Sequence, residues 1–130
     1  MRFYYTNQLT SRDVPGTNDI IGAAIATAAV TVNGNTAWRH GEYFQKEVTA
    51  PNTAAPQYPQ ITVASGQTNV TGNILVSKTP QTFKYDADGN LTNDSLWNYT
   101  WDAENRPITI ESLSTVPADA RKREQWSYPN

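Results

Sequence analysis

The sequence has no cysteine, a single histidine, no marked excess of either charge and few aliphatic residues. Without cysteine there is no disulfide framework and no thiolate metal site, and the redox compartment stays open. Ten basic against twelve acidic residues, a net charge of −2, supply no positive field for nonspecific nucleic-acid binding, so nucleic acid is not an expected partner. No apolar run approaches the roughly 18 residues of a membrane span, and no basic N-terminal segment leads into an apolar stretch, so neither a span nor an export signal is expected within the chain. Leu, Ile, Val and Phe together number 23 of 130, a share that goes with disorder when net charge is large. The charge is small, and four Trp and seven Tyr add apolar area, so the expectation is a folded chain with a lean core.

Seventeen Thr, twelve Asn, eight Pro and seven Gly are residues of short strands and frequent turns, and they predict an all-β chain of antiparallel hairpins. Met1 to Thr10 reads as a strand entering a turn, and Ser11 to Asn18 as a break around Pro15-Gly16. Asp19 to Val30 is ambiguous: five alanines suggest a short helix, but Gly22 and a poor apolar stripe favour strand or irregular edge. Asn33-Gly34 after Val30-Thr31-Val32 is the strongest hairpin cue in the chain. A second tight turn is expected at Arg39 to Glu42, a strand over Tyr43 to Val48, and a Pro-rich loop over residues 49–60. Ile61 to Val63 and Val70 to Val76 read as strands joined by a Ser65-Gly66 turn. Beyond Pro80, Phe83 and Tyr85 alternate with Lys84, Asp86 to Asn90 turns the chain, and Leu96 to Trp101 alternates with Trp97, Tyr99 and Trp101 on one face. Asp102 to Pro107 is the last turn, before Ile108, Ile110 and Leu113.

Two segments are alike: Tyr85-Asp86-Ala87-Asp88-Gly89-Asn90-Leu91 and Trp101-Asp102-Ala103-Glu104-Asn105-Arg106-Pro107-Ile108. Each runs aromatic, Asp, Ala, acid, turn residue and back to an apolar position, which marks a repeated supersecondary unit. The Asp is suited to accept backbone amides in an Asx-type turn, and Gly89 or Asn105 to take the left-handed backbone that reverses the chain. These residues resemble the YD repeat of bacterial rearrangement-hotspot (Rhs) proteins and their teneurin and toxin-complex relatives, over residues 79–113. The resemblance implies a β-ribbon that continues into neighbouring repeats of a parent polypeptide. Family members build hollow shells, some around a toxic C-terminal domain, while others stand at the cell surface with proposed carbohydrate contacts. Tyr4 to Arg12 looks like a worn copy with Thr6 in place of Asp, and Trp126-Ser127-Tyr128 like the start of another, with Pro129 where the Asp should be. Both ends are therefore expected to be cut from a longer chain. Val30 to Ala37 with Tyr43 to Val48 is similar to the hairpin of small bacterial Ig-like domains. The expected divisions are 1–18, a degenerate repeat strand and turn; 19–78, either an Ig-like insert or a less regular part of the same sheet; and 79–130, the repeat segment.

Candidate sites compete with plainer readings. Asp86, Asp88 and Asn90, with Asp94 beyond, have the alternation of a calcium loop, but Leu91 and Trp97 stand where an EF-hand needs Gly and Glu, so a repeat turn is favoured and no metal is expected. Trp97, Tyr99 and Trp101 form either a sugar-stacking platform or, the more usual outcome for such a stripe, the buried face of a lean sheet. His40 sits in a turn with no nucleophile elbow in the chain, and the carboxylates fall mostly in turns, so no catalytic group and no cofactor are expected. Arg121-Lys122-Arg123 reads as a solvated strand end, and the Asn-x-Ser/Thr triplets at Asn69, Asn90, Asn93 and Asn98 as products of composition. The function expected is a structural fragment of a secreted or surface protein that extends a sheet through neighbouring repeats and tends to self-associate. The alternative is a carbohydrate-binding or adhesion module using exposed aromatics.

Overall fold

The computed structural model describes the backbone of residues 2–7 and all of residues 16–129. The turn expected at Pro15 and residues 8–12 of the worn repeat copy lie outside the described residues. All strand pairings are antiparallel, and the only helical element among the described residues is a 3₁₀ turn at Ala118–Ala120. The chain is all-β, and it divides into two compact units.

The first unit, Met1–Pro51 with Tyr58–Val76, carries eight strands: β1 (Arg2–Asn7), β2 (Thr17–Ala23), β3 (Val30–Val32), β4 (Asn35–Thr36), β5 (Trp38–His40), β6 (Tyr43–Thr49), β7 (Gln60–Ser65) and β8 (Thr68–Asn73). They form two sheets, in the orders β1-β2-β6-β5 and β4-β3-β7-β8. Alternation along each strand sends Ile20 and Phe44 inward from one sheet and Val30, Val32, Ile61 and Val63 from the other, and these side chains join Ala37, Ala50, Ile74 and Val76 in one core. Asn33 and Gly34 both take positive φ, +49° and +78°, as the two-residue turn of the β3–β4 hairpin requires. β1 pairs with β2 along its length, which places the first expected segment beside the second in one sheet.

The ambiguous stretch after Asp19 resolves into β2 as far as Ala23 and an irregular segment beyond it. That segment needs no helix, because the Arg39 guanidinium, on the inward face with Phe44, donates to the carbonyls of Ala24, Ile25 and Ala28. The β7–β8 turn is Gly66-Gln67, one position beyond the expected pair, since Ser65 is still opposite Thr68.

The second unit, Asn52–Gln57 with Ser77–Asn130, holds a five-stranded meander in the order β13-β12-β11-β10-β9. Its strands are β9 (Lys84–Tyr85), β10 (Leu91–Asn93), β11 (Trp97–Trp101), β12 (Pro107–Ser112) and β13 (Arg123–Gln125). Asn52 ties the loop to the segment before β9, its side-chain amide donating to the Ser77 carbonyl at 2.7 Å and to Thr79 Oγ1 at 2.9 Å. Here the unit departs from the first: among its described residues the buried apolar side chains are few, chiefly Val116 and Ala120, and the sheet rests on the half-buried Trp97, Tyr99 and Trp101.

Candidate functional site

The two repeat segments fold into the same turn. In each, the aromatic residue ends one strand and faces the first residue of the next, Tyr85 opposite Leu91 and Trp101 opposite Pro107. The Asp that follows closes the five-residue loop through its backbone: the Asp86 amide donates to the Asn90 carbonyl and the Asp102 amide to the Arg106 carbonyl, both at 2.9 Å. The residue with left-handed backbone, Gly89 at φ +88° or Asn105 at φ +59°, donates back to the carbonyl of that same Asp. Side chains repeat the correspondence. Asp86 Oδ1 accepts the amides of Asp88 and Asn90 at 3.0 and 2.8 Å, and Asp102 Oδ1 accepts those of Glu104 and Arg106, each at 2.9 Å. The second carboxylate oxygen takes the side chain of the fifth loop residue, Asn90 Nδ2 at 3.1 Å and Arg106 Nε at 2.8 Å. Even the strand irregularity recurs, one unopposed residue after each turn, Thr92 in β10 and Ile108 in β12.

This geometry explains the residue types. An Asp carboxylate offers enough acceptor positions for two backbone amides and a side chain at once, which ties the loop together. The carboxyls of Asp86 and Asp102 are held below their ordinary value of 3.8, chiefly by the Asn90 and Arg106 backbone amides respectively. Arg106 also pairs with Glu104 at 3.1 Å and lies over the Tyr128 ring at 4.5 Å, while the Tyr128 hydroxyl donates to the Pro107 carbonyl. The two turns sit side by side at one end of the sheet, where Asn90 Nδ2 donates across to Asn105 Oδ1 at 2.7 Å. The residues with the alternation of a calcium loop are thus engaged in turn bonds at Asp86 and Asn90, and among the described residues no group of three or more carboxylates and histidines is placed to hold a metal.

At the opposite end of the sheet, Asp94 does for the β10–β11 turn what Asp86 and Asp102 do for theirs. Its Oδ1 accepts the amides of Leu96 and Trp97, and its Oδ2 accepts the Tyr99 hydroxyl at 2.7 Å. Asp94, which the sequence offers as an outlying member of the calcium-loop alternation, is a turn residue, and the run Asn93-Asp94-Ser95 carries that signal. Burial, and then the bond to Asp94, push the Tyr99 hydroxyl up to about 12.

Trp97, Tyr99 and Trp101 share one half-buried face of β11. Two of them turn their polar atoms into the unit, Trp101 Nε1 donating to the Leu91 carbonyl at 2.8 Å and the Tyr99 hydroxyl to Asp94. More exposed rings lie elsewhere, among them Tyr85 of the first repeat turn, which is 62% exposed rather than packed inward as Trp101 partly is. In the first unit Trp38 and Tyr43 are 61% and 60% exposed, and the His40 ring stacks on Trp38 at 5.9 Å with an interplanar angle of 10°. The β5–β6 register puts Trp38, His40, Tyr43 and Gln45 on the outer face of the sheet, where Gln45 Nε2 donates to Asp19 Oδ1. The turn expected at Arg39 to Glu42 is the two-residue Gly41-Glu42, so Arg39 and His40 belong to β5, and His40 is a strand residue rather than a turn residue.

Of the basic run, Arg121 binds the carbonyls of Val116 and Ser114, holding the 3₁₀ turn and its approach, Lys122 extends the ladder with Ser112, and Arg123 opens β13. Asn90 and Asn93 commit their side-chain amides to hydrogen bonds, and Asn69 and Asn98 are exposed on strands. No family model, curated protein or solved structure matches the chain.

Proposed function

We propose that this chain is a non-catalytic structural element of the YD-repeat (Rhs) type, whose aromatic–Asp turns extend an antiparallel sheet by apposition with neighbouring repeats of a larger secreted or cell-surface protein. The observation that carries this is the pair of turns at 86–90 and 102–106, with matching backbone and carboxylate bonds and a matching bulge at a spacing of 16 residues. A unit of that kind propagates, because each turn closes on its own Asp and meets the next only sideways, as Asn90 meets Asn105. The lean burial of the second unit agrees, since a sheet meant to be flanked by further repeats carries little private core.

The test is to insert a second copy of residues 85–100 before Trp101, which puts Tyr85 in the place of Trp101 and keeps the register. A folded protein with added β-signal in circular dichroism, and a melting temperature no lower than that of the parent, is the expected result. A misfolded product would contradict the reading.

A second reading, a carbohydrate-binding or adhesion module, is favoured by the exposed rings of Trp38 and Tyr43, which share the outer face of the sheet with Gln45. It expects a glycan-array signal that Trp38→Ala abolishes and Trp97→Ala spares; absence of any signal at high protein density would remove it.

A further inference from the structure

We propose that the outer edge of β13 is a self-complementary interaction surface, through which two copies of this chain pair about a twofold axis centred on Arg123. All three residues of β13 are exposed, and no described strand pairs with its outer side. On its inner side the ladder with β12 settles which backbone groups are already used. Ser112 donates to the Lys122 carbonyl and Trp126 to the Ile108 carbonyl, so with Ile110 opposite Glu124 the inward-bonding residues are Lys122, Glu124 and Trp126. The backbone N–H and C=O of Arg123 and Gln125 therefore point outward, as open ladder positions on an edge.

Strand direction then limits the partner. In this five-stranded meander β9 and β13 run the same way, so β13 of one copy against β9 of another gives either parallel neighbours or an antiparallel pair with the sheet faces exchanged. Pairing like edge with like keeps both the antiparallel ladder and the faces, and it closes as a twofold dimer rather than growing as a filament. The β9 edge is shorter and borders a bulge, which makes it the poorer template.

Charge selects the register. Outward-pointing residues must meet outward-pointing residues, which leaves three registers centred within β13, on Arg123, Glu124 or Gln125. The Glu124-centred one sets Glu124 opposite Glu124 of the second copy and is disfavoured, and the Gln125-centred one sets Glu124 opposite Trp126 and forms no ion pair. The Arg123-centred one sets Arg123 opposite itself and Lys122 opposite Glu124 of the second copy, at the closer, non-hydrogen-bonded spacing and in both directions, so it alone gains two opposite-charge pairs. Within its own sheet each Arg123 has Glu111 opposite it, so the like charges at the axis are flanked by acids. Arg121 is extended, with φ and ψ of −70° and 138°, but gives its amide to the Ala118 carbonyl, so the ladder with the second copy rests on the Arg123 pair at the axis.

This inference deepens the proposed function, since the edge that would receive the next repeat is the one that accepts a second copy. A short edge predicts a weak complex, with a Kd on the order of 100 µM. Sedimentation equilibrium of the full chain from about 10 to about 500 µM is expected to show a monomer–dimer equilibrium without larger species. Glu124→Lys and Lys122→Glu, each checked for native circular dichroism, are expected to weaken it at least about tenfold. An equimolar mixture of the two variants, in which every Lys again faces a Glu, is expected to recover the wild-type association. A monomer throughout the range, a dimer indifferent to both reversals, or a mixture that fails to associate would overturn the proposal. Each of these outcomes leaves the repeat-duplication test of the structural function unaffected, so the two stand or fall separately.

Discussion

The residues that matter most in this chain are aspartates that never leave their own turns. Asp86, Asp94 and Asp102 each bond two backbone amides through one oxygen and a side chain through the other. Replacing Asp86 or Asp102 by Ala leaves the same amides without an acceptor, so the two variants are expected to show similar falls in Tm, about 2–6 °C, with Asn in place of Asp recovering part of the loss. Protonation acts on the same bonds. Both carboxyls sit below 3.8 when folded, so their contribution is complete above that value and is lost as the pH falls through the lower folded values. Denaturation midpoints between about pH 5 and pH 2 are expected to show this loss, and the double Asp→Asn variant to flatten it. Tyr99 has the opposite sign. Its hydroxyl is raised from 10.0 to about 12, so its contribution is present below pH 10 and lost as the pH rises through 12. Ultraviolet titration of the phenols is expected to contain one late component that Tyr99→Phe removes.

At the scale of elements, the turns were far more legible than the packing. Asn33-Gly34 announces a hairpin because so few residue pairs tolerate two consecutive positive φ values, and the structure has that hairpin. Gly34→Ala is expected to cost about 1–2 kcal/mol, measured by urea unfolding, from backbone strain alone, since an added Cβ meets open space there. The Asp86 and Asp102 turns were legible for a related reason: a local hydrogen-bond motif is written in consecutive residues. The aromatic stripe was legible only as a stripe. Alternation put Trp97, Tyr99 and Trp101 on one face, but how far each ring is buried depends on what packs against that face, which is non-local. The same limit hid the exposed group of Trp38, His40 and Tyr43, where the register of β5 against β6 decides the face. Strand boundaries moved where pairing overrode the local pattern: Thr68 opposite Ser65 starts β8 two residues before Val70, and with Gln60 opposite Asn73 as the last pair the strand expected to reach Val76 ends three residues earlier.

For the whole molecule, one chain carries two ways of stabilising a sheet. The first unit closes two sheets over a shared apolar core, with Ile20, Phe44, Ile61 and Val63 at its centre. The second has little buried core, and instead binds its meander by Asp-centred turns at both ends, with half-buried aromatics between them. That contrast is what favours a structural, sheet-extending role for the second unit, because turn-centred bonding repeats along a ribbon whereas a closed core does not. Residue-resolved amide exchange by NMR measures that organisation in solution. Protection is expected to recur at a spacing of 16 residues, with the amides of Asp86, Gly89 and Asn90 exchanging in step with those of Asp102, Asn105 and Arg106. Protection at one turn with free exchange at the other would contradict it.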